Sequence, residues 1–292
     1  MKKTKPYRIL SEWQDLVKMT TSQYSIANSY DKTILKTMIL DIGSGHKPDK
    51  KANILFEYSD AGDEHRWNKS LKVDRPIIFY NQKQFPFKKN AFRKSICKHV
   101  LEHVDDPVFF LKEVERISMG GYIETPSEIA ELIFTPYDQH KWVINYIDDS
   151  LVIKKKTEHN ISKFGRLFDF LGKSERGFEN NFYWKRRALF FIEYYWNERI
   201  DFKIVSQSKD TELDLNSDQV LEKICKINFA SARRNTNFQA KKCSLSEVLD
   251  FLEKNILTPC CMTSVYRKEN AFCCTKCGRN FRIDGLRIDL SL

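Results

Sequence analysis

The chain has 292 residues, of which 41% are hydrophobic and 30% are charged, and its formal net charge is +10. This apolar content supports a folded core and excludes global disorder, and the low glycine and proline content excludes collagen-like and low-complexity chains. Because no run of about 18 apolar residues occurs and no apolar segment follows the basic start, we expect a cytoplasmic protein without a transmembrane segment.

The first 130 residues predict short strands separated by turns and helices. Helical spacing over residues 8–37 predicts one or two helices, and apolar residues at helical spacing predict another over 107–117. Short apolar strands in this arrangement predict an α/β fold with a parallel sheet. The predicted strands cover residues 37–42, 52–57, 75–80, 92–97 and 121–124.

Further along the chain, residues 142–146 and 150–155 predict a β pair around Asp148 and Asp149. The aromatic and basic residues of 161–200 predict helices that pack on the sheet, with base stacking and phosphate binding as the alternative. A late strand follows at 200–205, and a polar linker over 206–216 precedes two helices. The second helix begins with the capping box of Ser244 and Glu247.

A glycine-rich turn follows the first predicted strand. The segment Asp41-Ile42-Gly43-Ser44-Gly45 lets the backbone approach a ligand closely, or it forms a plain tight turn. It is not a P-loop, because no Gly-Lys-Ser/Thr follows. Glu57 ends the second strand, where a carboxylate can accept both hydroxyl protons of a ribose. The alternative for Glu57 is a solvent-exposed strand end.

These residues, with the motifs that follow them, resemble the class I S-adenosylmethionine-dependent methyltransferases, and the methyltransferase type 11 branch in particular. The resemblance covers residues 37–128 and extends to about 205 with less support. It implies a Rossmann-like sheet with flanking helices and binding of S-adenosylmethionine. The motifs are Met38 to Gly45, Glu57, Phe85-Pro86-Phe87, His99 to Pro107, Gly121 to Ser127, and His140-Lys141-Trp142.

The resemblance also implies a role for individual residues. Glu57 would bind the ribose of the cofactor, and Asn81 would lie near the adenine, in place of the carboxylate that the family usually has there. Gln82 follows Asn81 at the same end. The residues expected at the methionine end and beside the methyl donor are Asp41, Gly43, Ser44, Gly45, Cys97, Lys98 and His99.

The candidates for a catalytic base are His140, His99 and Glu124, and a base is needed only if the acceptor is a protonated hydroxyl or amine. His140 is the favoured pocket residue, with an ordinary loop histidine as the alternative, and His103 is expected to be structural. The predicted function is methyl transfer to a small-molecule, glycan or lipid-linked acceptor. The alternatives are an RNA methyltransferase, suggested by the basic charge, and a binding module without turnover.

The C-terminus contains a cysteine cluster, which in a cytosolic chain predicts a metal site. Cys274 and Cys277 form a Cys-x-x-Cys half-site that can hold one tetrahedral ion. The segment resembles the zinc ribbon of small zinc-binding activators of RNA and protein methyltransferases. Thr258 stands where that pattern has a cysteine, so a metal-free ribbon is the alternative. The predicted ligands are Cys260, Cys261, Cys274 and Cys277, with Cys273 or Cys243 as substitutes.

The sequence thus predicts three units. Residues 1–205 form the methyltransferase domain, 206–256 a polar linker with helices, and 257–292 the zinc-ribbon-like segment.

Overall fold

A computed structural model of the chain describes residues 37–58, 69–134, 138–156, 164, 166–205, 218 and 241–292. The helices predicted over 8–37, the linker predicted over 206–216 and the first helix after it lie outside these residues, apart from Thr37. The described part is a mixed α/β protein with one ten-stranded and one three-stranded sheet.

The five predicted strands of the first half are confirmed, and they form the parallel centre of the large sheet. Their order is β3-β2-β1-β4-β5, and every neighbouring pair is parallel. Their apolar side chains are buried, as expected for strands that are covered on both faces. The strands are β1 Ile39–Ile42, β2 Ile54–Glu57, β3 Ile77–Phe79, β4 Lys94–Lys98 and β5 Gly120–Pro126.

Helix α1 (Pro107–Ile117) matches the predicted bounds. It begins where Asp106 accepts a hydrogen bond from the Phe109 amide at 3.0 Å, and Pro107 occupies the first turn. Leu111, Val114 and Ile117 are fully buried in the main core. A short helix, α2 (Glu128–Ile133), follows β5 and is capped by Ser127.

The aromatic segment over 161–200 is only partly helical. Helix α3 (Leu167–Ser174), a π-helical turn (Glu179–Trp184) and helix α4 (Arg187–Phe190) are followed by strand β8 (Phe191–Asn197). The helix prediction is therefore wrong over β8, which pairs antiparallel with β5. Ile192, Tyr194 and Trp196 all enter the core, and this period of two, with aromatic side chains that favour strands, overrides the helical spacing.

The predicted β pair is confirmed as β6 (Trp142–Ile147) and β7 (Ser150–Lys155), which form an antiparallel hairpin. Its turn residues Asp148 and Asp149 have φ values of 49° and 59°, as a two-residue hairpin turn requires. Strand β9 (Phe202–Val205) pairs with β7 and completes the three-stranded sheet.

The C-terminal residues share the core of the parallel sheet. The predicted capping box opens α5 (Leu245–Asn255), whose Val248 and Leu252 are buried in the main core. Strand β13 pairs in parallel with β3, so the large sheet continues across the predicted boundary at residue 257. The last strands are β10 Val265–Lys268, β11 Ala271–Cys274, β12 Asn280–Asp284 and β13 Arg287–Asp289.

Candidate functional site

The glycine turn lies at the carboxyl end of β1, at the point where the strand order reverses. Strand β1 has β2 on one side and β4 on the other, and open parallel sheets bind ligands in the crevice at such a point. Gly43 and Gly45 have φ values of 68° and 55°, which favour glycine. A Cβ atom at Gly43 would lie 2.3 Å from Cγ2 of Val100, so this glycine is required by packing against the segment after β4.

Glu57 is buried against this turn rather than exposed at the strand end. Only 8% of the Glu57 surface is exposed. Its Oε1 accepts hydrogen bonds from the Ser44 hydroxyl at 2.8 Å and from the Gly45 amide at 2.5 Å. The interpretation as a solvent-exposed strand end is therefore wrong, and the carboxylate and the glycine turn form one unit.

Asp41 lies on the other side of the turn, 2% exposed. Burial raises its pKa to about 7, although the Asp49 amide donates a hydrogen bond to its Oδ2 at 2.7 Å. Lys98 at the end of β4 contacts Asp49 Oδ2 at 2.5 Å. Burial opposes ionisation of Asp49, but this lysine and the Lys51 amide outweigh it and lower the pKa of Asp49.

The other residues of the predicted cofactor set lie in different environments. Cys97 is fully buried in the main core, and burial raises the pKa of its thiol, so its side chain does not line the sheet edge. Asn81 is half-buried after β3, and its Oδ1 accepts hydrogen bonds from Gln82 at 2.9 Å and from the Leu292 amide at 3.4 Å. Gln82 is exposed.

His99 and Glu124 come together at the carboxyl ends of β4 and β5. His99 has φ of 54°, and its Nε2 lies 3.3 Å from Glu124 Oε1 while its Nδ1 lies 3.4 Å from Glu102 Oε1. Burial disfavours the charged ring, but the two carboxylates outweigh this effect and raise the pKa of His99 to about 9. The ring is therefore protonated at neutral pH and donates protons rather than removing them.

Arg187 completes this group, although sequence reasoning assigned it no site role. Its Nη2 contacts Glu124 Oε2 at 2.5 Å, and its Nε contacts Glu193 Oε1 at 2.8 Å. Burial opposes ionisation of Glu124, but His99 and Arg187 hold its pKa at about 2. The guanidinium also lies 4.4 Å from the ring centre of Phe191. In the sequence, the only feature that singled out Arg187 was its place among the aromatic residues before β8. That feature indicated packing on the sheet rather than a role in a site.

A pocket of about 230 Å³ opens beside this group, on one face of β4, β5 and β8. Cross-strand neighbours form its floor, because Tyr122 lies between Ile96 and Tyr195 and Glu124 lies between Lys98 and Glu193. Among its charged side chains, Lys98 is paired with Asp49, and Arg187 is paired with Glu124 and Glu193. The lining consists of Asp49, Lys51, Ile96, Lys98, Tyr122, Glu124, Arg187, Glu193 and Tyr195.

His140 does not line this pocket. It precedes β6, is 9% exposed, and its Nδ1 contacts Glu131 Oε1 at 2.5 Å. Its ring packs edge-on against that of His103, with the ring centres 4.7 Å apart. This position favours the alternative interpretation of His140 over a base that faces an acceptor.

The four predicted metal ligands come together in the C-terminal segment. One sulfur from each of Cys260, Cys261, Cys274 and Cys277 lies within 4.8 Å of the others, so the cluster could hold a metal ion such as zinc. Cys273 and Cys243, the predicted substitutes, lie outside this group.

Thr258 explains how the cluster forms without a cysteine at that position. Thr258 is fully buried, and its hydroxyl donates a hydrogen bond to Cys274 Sγ at 3.3 Å. Burial opposes ionisation of Cys274, but the hydroxyls of Thr258 and Thr263 and the amides of Lys276 and Cys277 lower its pKa to about 5. Thr258 thus supports a ligand rather than replacing one, and the adjacent Cys260 and Cys261 both contribute a thiol.

Comparison with known proteins adds no family: no protein-family model matches the chain, and no curated protein matches it. The helices of the described part reach at most 11 residues, and none is both long enough and apolar enough to cross a membrane.

Proposed function

We propose that the protein is an S-adenosylmethionine-dependent methyltransferase with a Rossmann-like sheet. One observation carries the proposal. A glycine turn ends β1 at the reversal of strand order, and a buried acidic residue at the end of β2 is hydrogen-bonded to that turn. A backbone that a ligand can approach therefore lies beside a carboxylate that can accept from vicinal hydroxyls, as binding of an adenosine-type cofactor requires.

The residues of this edge fit the cofactor. Glu57 would accept from the ribose hydroxyls, Asn81 would accept from the adenine amino group, and Asp41 would lie at the methionine end. Ser44, Gly45 and the backbone around Lys98 would line the space between them. The cofactor, when bound, supplies an electrophilic methyl group on a positively charged sulfur. The chain's own task is to align the acceptor, which in favourable systems supplies roughly 7–11 kcal/mol.

The group of His99, Glu124 and Arg187 would position that acceptor. With its pKa raised to about 9, His99 is a hydrogen-bond donor at neutral pH, and Glu124 stays ionised as its acceptor. The proposed mechanism therefore uses alignment and polar contacts rather than a strong base. Such a group suits an acceptor whose nucleophilic atom does not need to lose a proton before the transfer.

The pocket favours an uncharged polar acceptor, such as a small metabolite or a glycan, whose hydroxyls contact the wall and whose nucleophilic atom is a separate lone-pair atom that carries no proton to be lost. Its cations Lys98 and Arg187 are paired with its own carboxylates, so a phosphate that bound them would have to displace an existing ion pair. The tyrosines and carboxylates of its wall offer both hydrogen bonds and an aromatic surface. RNA remains the second candidate, on the observation of a net charge of +10.

We also propose that the four cysteines hold a structural zinc ion. Zinc prefers four thiolates at about 2.3 Å in tetrahedral geometry, which places sulfurs about 3.8 Å apart. The Sγ atoms of Cys260 and Cys277 lie 3.5 Å apart, so the cluster fits the ion with small side-chain adjustments. The hydroxyls that bind Cys274 would act as the supporting contacts that orient metal ligands.

Titration calorimetry with S-adenosylmethionine and its demethylated product tests the cofactor assignment. We expect Glu57→Ala to weaken binding by about 1–3 kcal/mol, the range for hydrogen bonds to a charged group. Glu175→Gln, which changes an exposed glutamate away from the edge, should leave the affinity unchanged. Absence of binding to the unaltered protein, or equal affinity in Glu57→Ala, would reject the assignment.

Binding to bulk RNA at several salt concentrations separates the two acceptor classes. An RNA enzyme should lose affinity steeply as salt rises, because binding releases counterions from the phosphates. Retained binding with a steep slope would favour RNA, whereas weak binding at physiological salt would favour the small-molecule or glycan acceptor.

A further inference from the structure

A second group of metal-ligating side chains lies away from the cysteines. One ligand atom from each of Glu102, His103 and His140 lies within 4.8 Å of the others. Glu102 and His103 lie in the segment between β4 and α1, and His140 precedes β6. The group therefore joins two loops that are far apart in the sequence.

The backbone holds these loops side by side before any ion is considered. The carbonyl oxygen of Glu102 accepts from the amides of Lys141 at 2.7 Å and Trp142 at 3.2 Å. The indole of Trp142 donates to the Val104 carbonyl at 2.7 Å. These hydrogen bonds between the two loops thus fix the positions of the three residues relative to one another.

Both imidazoles are oriented as metal-binding histidines are. The Nδ1 of His140 contacts Glu131 Oε1 at 2.5 Å, and the Nδ1 of His103 lies 3.2 Å from the Gln139 carbonyl oxygen. Both partners are acceptors, so Nδ1 of each ring is the donor and Nε2 is the candidate ligand atom. A carboxylate or carbonyl behind the ring is the arrangement that fixes a ligating histidine and increases its basicity.

The carboxylate of Glu102 is the independent observation that points to a cation. The residue is 1% exposed, and its Oε2 accepts from the Thr125 hydroxyl at 3.0 Å. Its Oε1 is buried and accepts no hydrogen bond from the described residues, with His99 Nδ1 at 3.4 Å and His103 Nε2 at 3.9 Å. A buried carboxylate oxygen whose nearest donor, the His99 ring, lies 3.4 Å away is weakly compensated, and a bound cation would stabilise it better.

We propose that Glu102, His103 and His140 bind a divalent transition-metal ion, with zinc the best match. Two imidazole nitrogens and one carboxylate oxygen suit zinc and its first-row neighbours, and calcium and magnesium prefer oxygen ligands alone. Zinc needs its nitrogen and oxygen ligands about 3.4 Å apart, so the group closes around the ion by less than about 1.5 Å. The inference does not rest on the proposed methyl transfer, although Glu102 also contacts His99 of the proposed acceptor group. The structural consequence of the site is to anchor the segment that carries His99.

The experiment uses a full-length Cys274→Ser/Cys277→Ser variant, so that the thiolate cluster no longer contributes metal. The protein is produced without a metal-binding tag, stripped with a chelator and titrated with zinc in a calorimeter, and with cobalt in a spectrophotometer. We expect about one ion per chain, and a cobalt spectrum without thiolate-to-metal charge transfer. Less than a tenth of an equivalent in this variant would overturn the proposal.

Three substitutions locate the site. Glu102→Gln keeps an oxygen that accepts from Thr125 but removes the charge, and His103→Gln changes a partly exposed ring; each should abolish stoichiometric binding. Glu131→Gln, behind His140, should weaken zinc binding about 10–100-fold. His46→Gln changes a histidine that follows Gly45 and lies outside this group, so it is the matched control and should bind zinc as the parent does.

Circular dichroism and thermal unfolding of each variant separate loss of the ion from loss of the fold. If Glu102→Gln and His103→Gln fold and still bind one zinc ion with the parent affinity, the proposal is wrong. A loss that occurs equally in His46→Gln also rejects it.

Discussion

The glycine turn beside Glu57 and the four-cysteine cluster belong to the same large sheet region, but different forces hold them. At the turn, the acidic side chains are buried and hydrogen-bonded, and Gly43 is packed against Val100. In the cluster, Cys277 is exposed, Cys260 and Cys261 are half-buried, and only Cys274 is fully buried. Core packing stabilises the glycine turn. The cysteine cluster depends on turns that a bound metal ion would stabilise.

The difference predicts how each site fails. Damage to the turn should reach the main core, because its packing partners belong to that core. Damage to the cluster should stay local, because Ile288 and Leu290 are fully buried next to β3, on a strand that is paired with the parallel sheet. Each of the following substitutions changes one site, and the other site is measured to see whether its fold or metal content also changes.

Cys277→Ser should have the largest effect, since structural zinc supplies binding energy of the order of 10 kcal/mol in small sites. We expect the metal content to fall by about one equivalent and residues 258–279 to lose protection from hydrogen exchange. Strand β13 and the parallel strands should stay protected, because β13 is paired with β3 of the parallel sheet. Elemental analysis and exchange mass spectrometry measure both effects.

Cys243→Ser is the control for this variant, because Cys243 lies outside the cluster and contacts Asn53. It should keep the full metal content. Unfolding of the parallel sheet in Cys277→Ser, or no change in metal content, would contradict the contrast between the two sites.

Gly43→Val should destabilise the protein by about 2–4 kcal/mol, because it combines overpacking with a strained positive φ. The φ of 68° and the 2.3 Å approach to Val100 are the two sources of this cost. Chemical denaturation measures the loss, and the metal content of the cysteine cluster should not change in the fraction that folds. Cofactor binding should also be lost.

A double substitution separates the two costs. Gly43→Ala with Val100→Ala removes the steric overlap but keeps the strain, so it should be more stable than Gly43→Ala alone. If Val100→Ala gives no relief, the glycine is required by φ alone or by a ligand.

The sequence predicted most of the sheet because its parallel strands are short apolar runs, and a central strand needs little more than that. It placed α1 correctly because Asp106, Pro107 and the buried Leu111 all indicate the same helix. It failed at β8, where aromatic residues fit a helical face and a strand equally well, and only pairing with β5 decides between them.

The site was predicted in part for a related reason. The Cys-x-x-Cys spacing selected Cys274 and Cys277, and the resemblance to a zinc ribbon added Cys261, but the fourth ligand stayed open between Cys260, Cys273 and Cys243. The partnership of Arg187 with Glu124 joins residues 63 positions apart, and no local pattern indicates it. The burial of His140 against Glu131 likewise depends on how two loops pack. The sequence could not predict which charged residues pair when they are far apart along the chain.

Asp41→Asn should have the smallest effect, and only at the turn. The pKa of Asp41 is raised from 3.8 to about 7, so the folded state binds the proton more tightly than the unfolded chain does. The stability that Asp41 contributes is therefore fully present below about pH 4 and is lost as the pH rises towards 7. One pKa unit corresponds to about 1.4 kcal/mol, which bounds the loss at about 4 kcal/mol.

The side-chain amide introduced by Asp41→Asn cannot ionise, yet its oxygen can still accept from the Asp49 amide. We therefore expect the variant to be more stable than the parent at pH 8 by about 1–3 kcal/mol, with a smaller difference at pH 4. Urea denaturation of the cofactor-free protein across this pH range measures the change in slope. With both proteins stripped of metal, Cys277→Ser should keep the parent slope between pH 4 and 7, because the buried carboxylate belongs to the turn and not to the cluster. An unaltered slope in Asp41→Asn would show that other groups dominate the pH dependence.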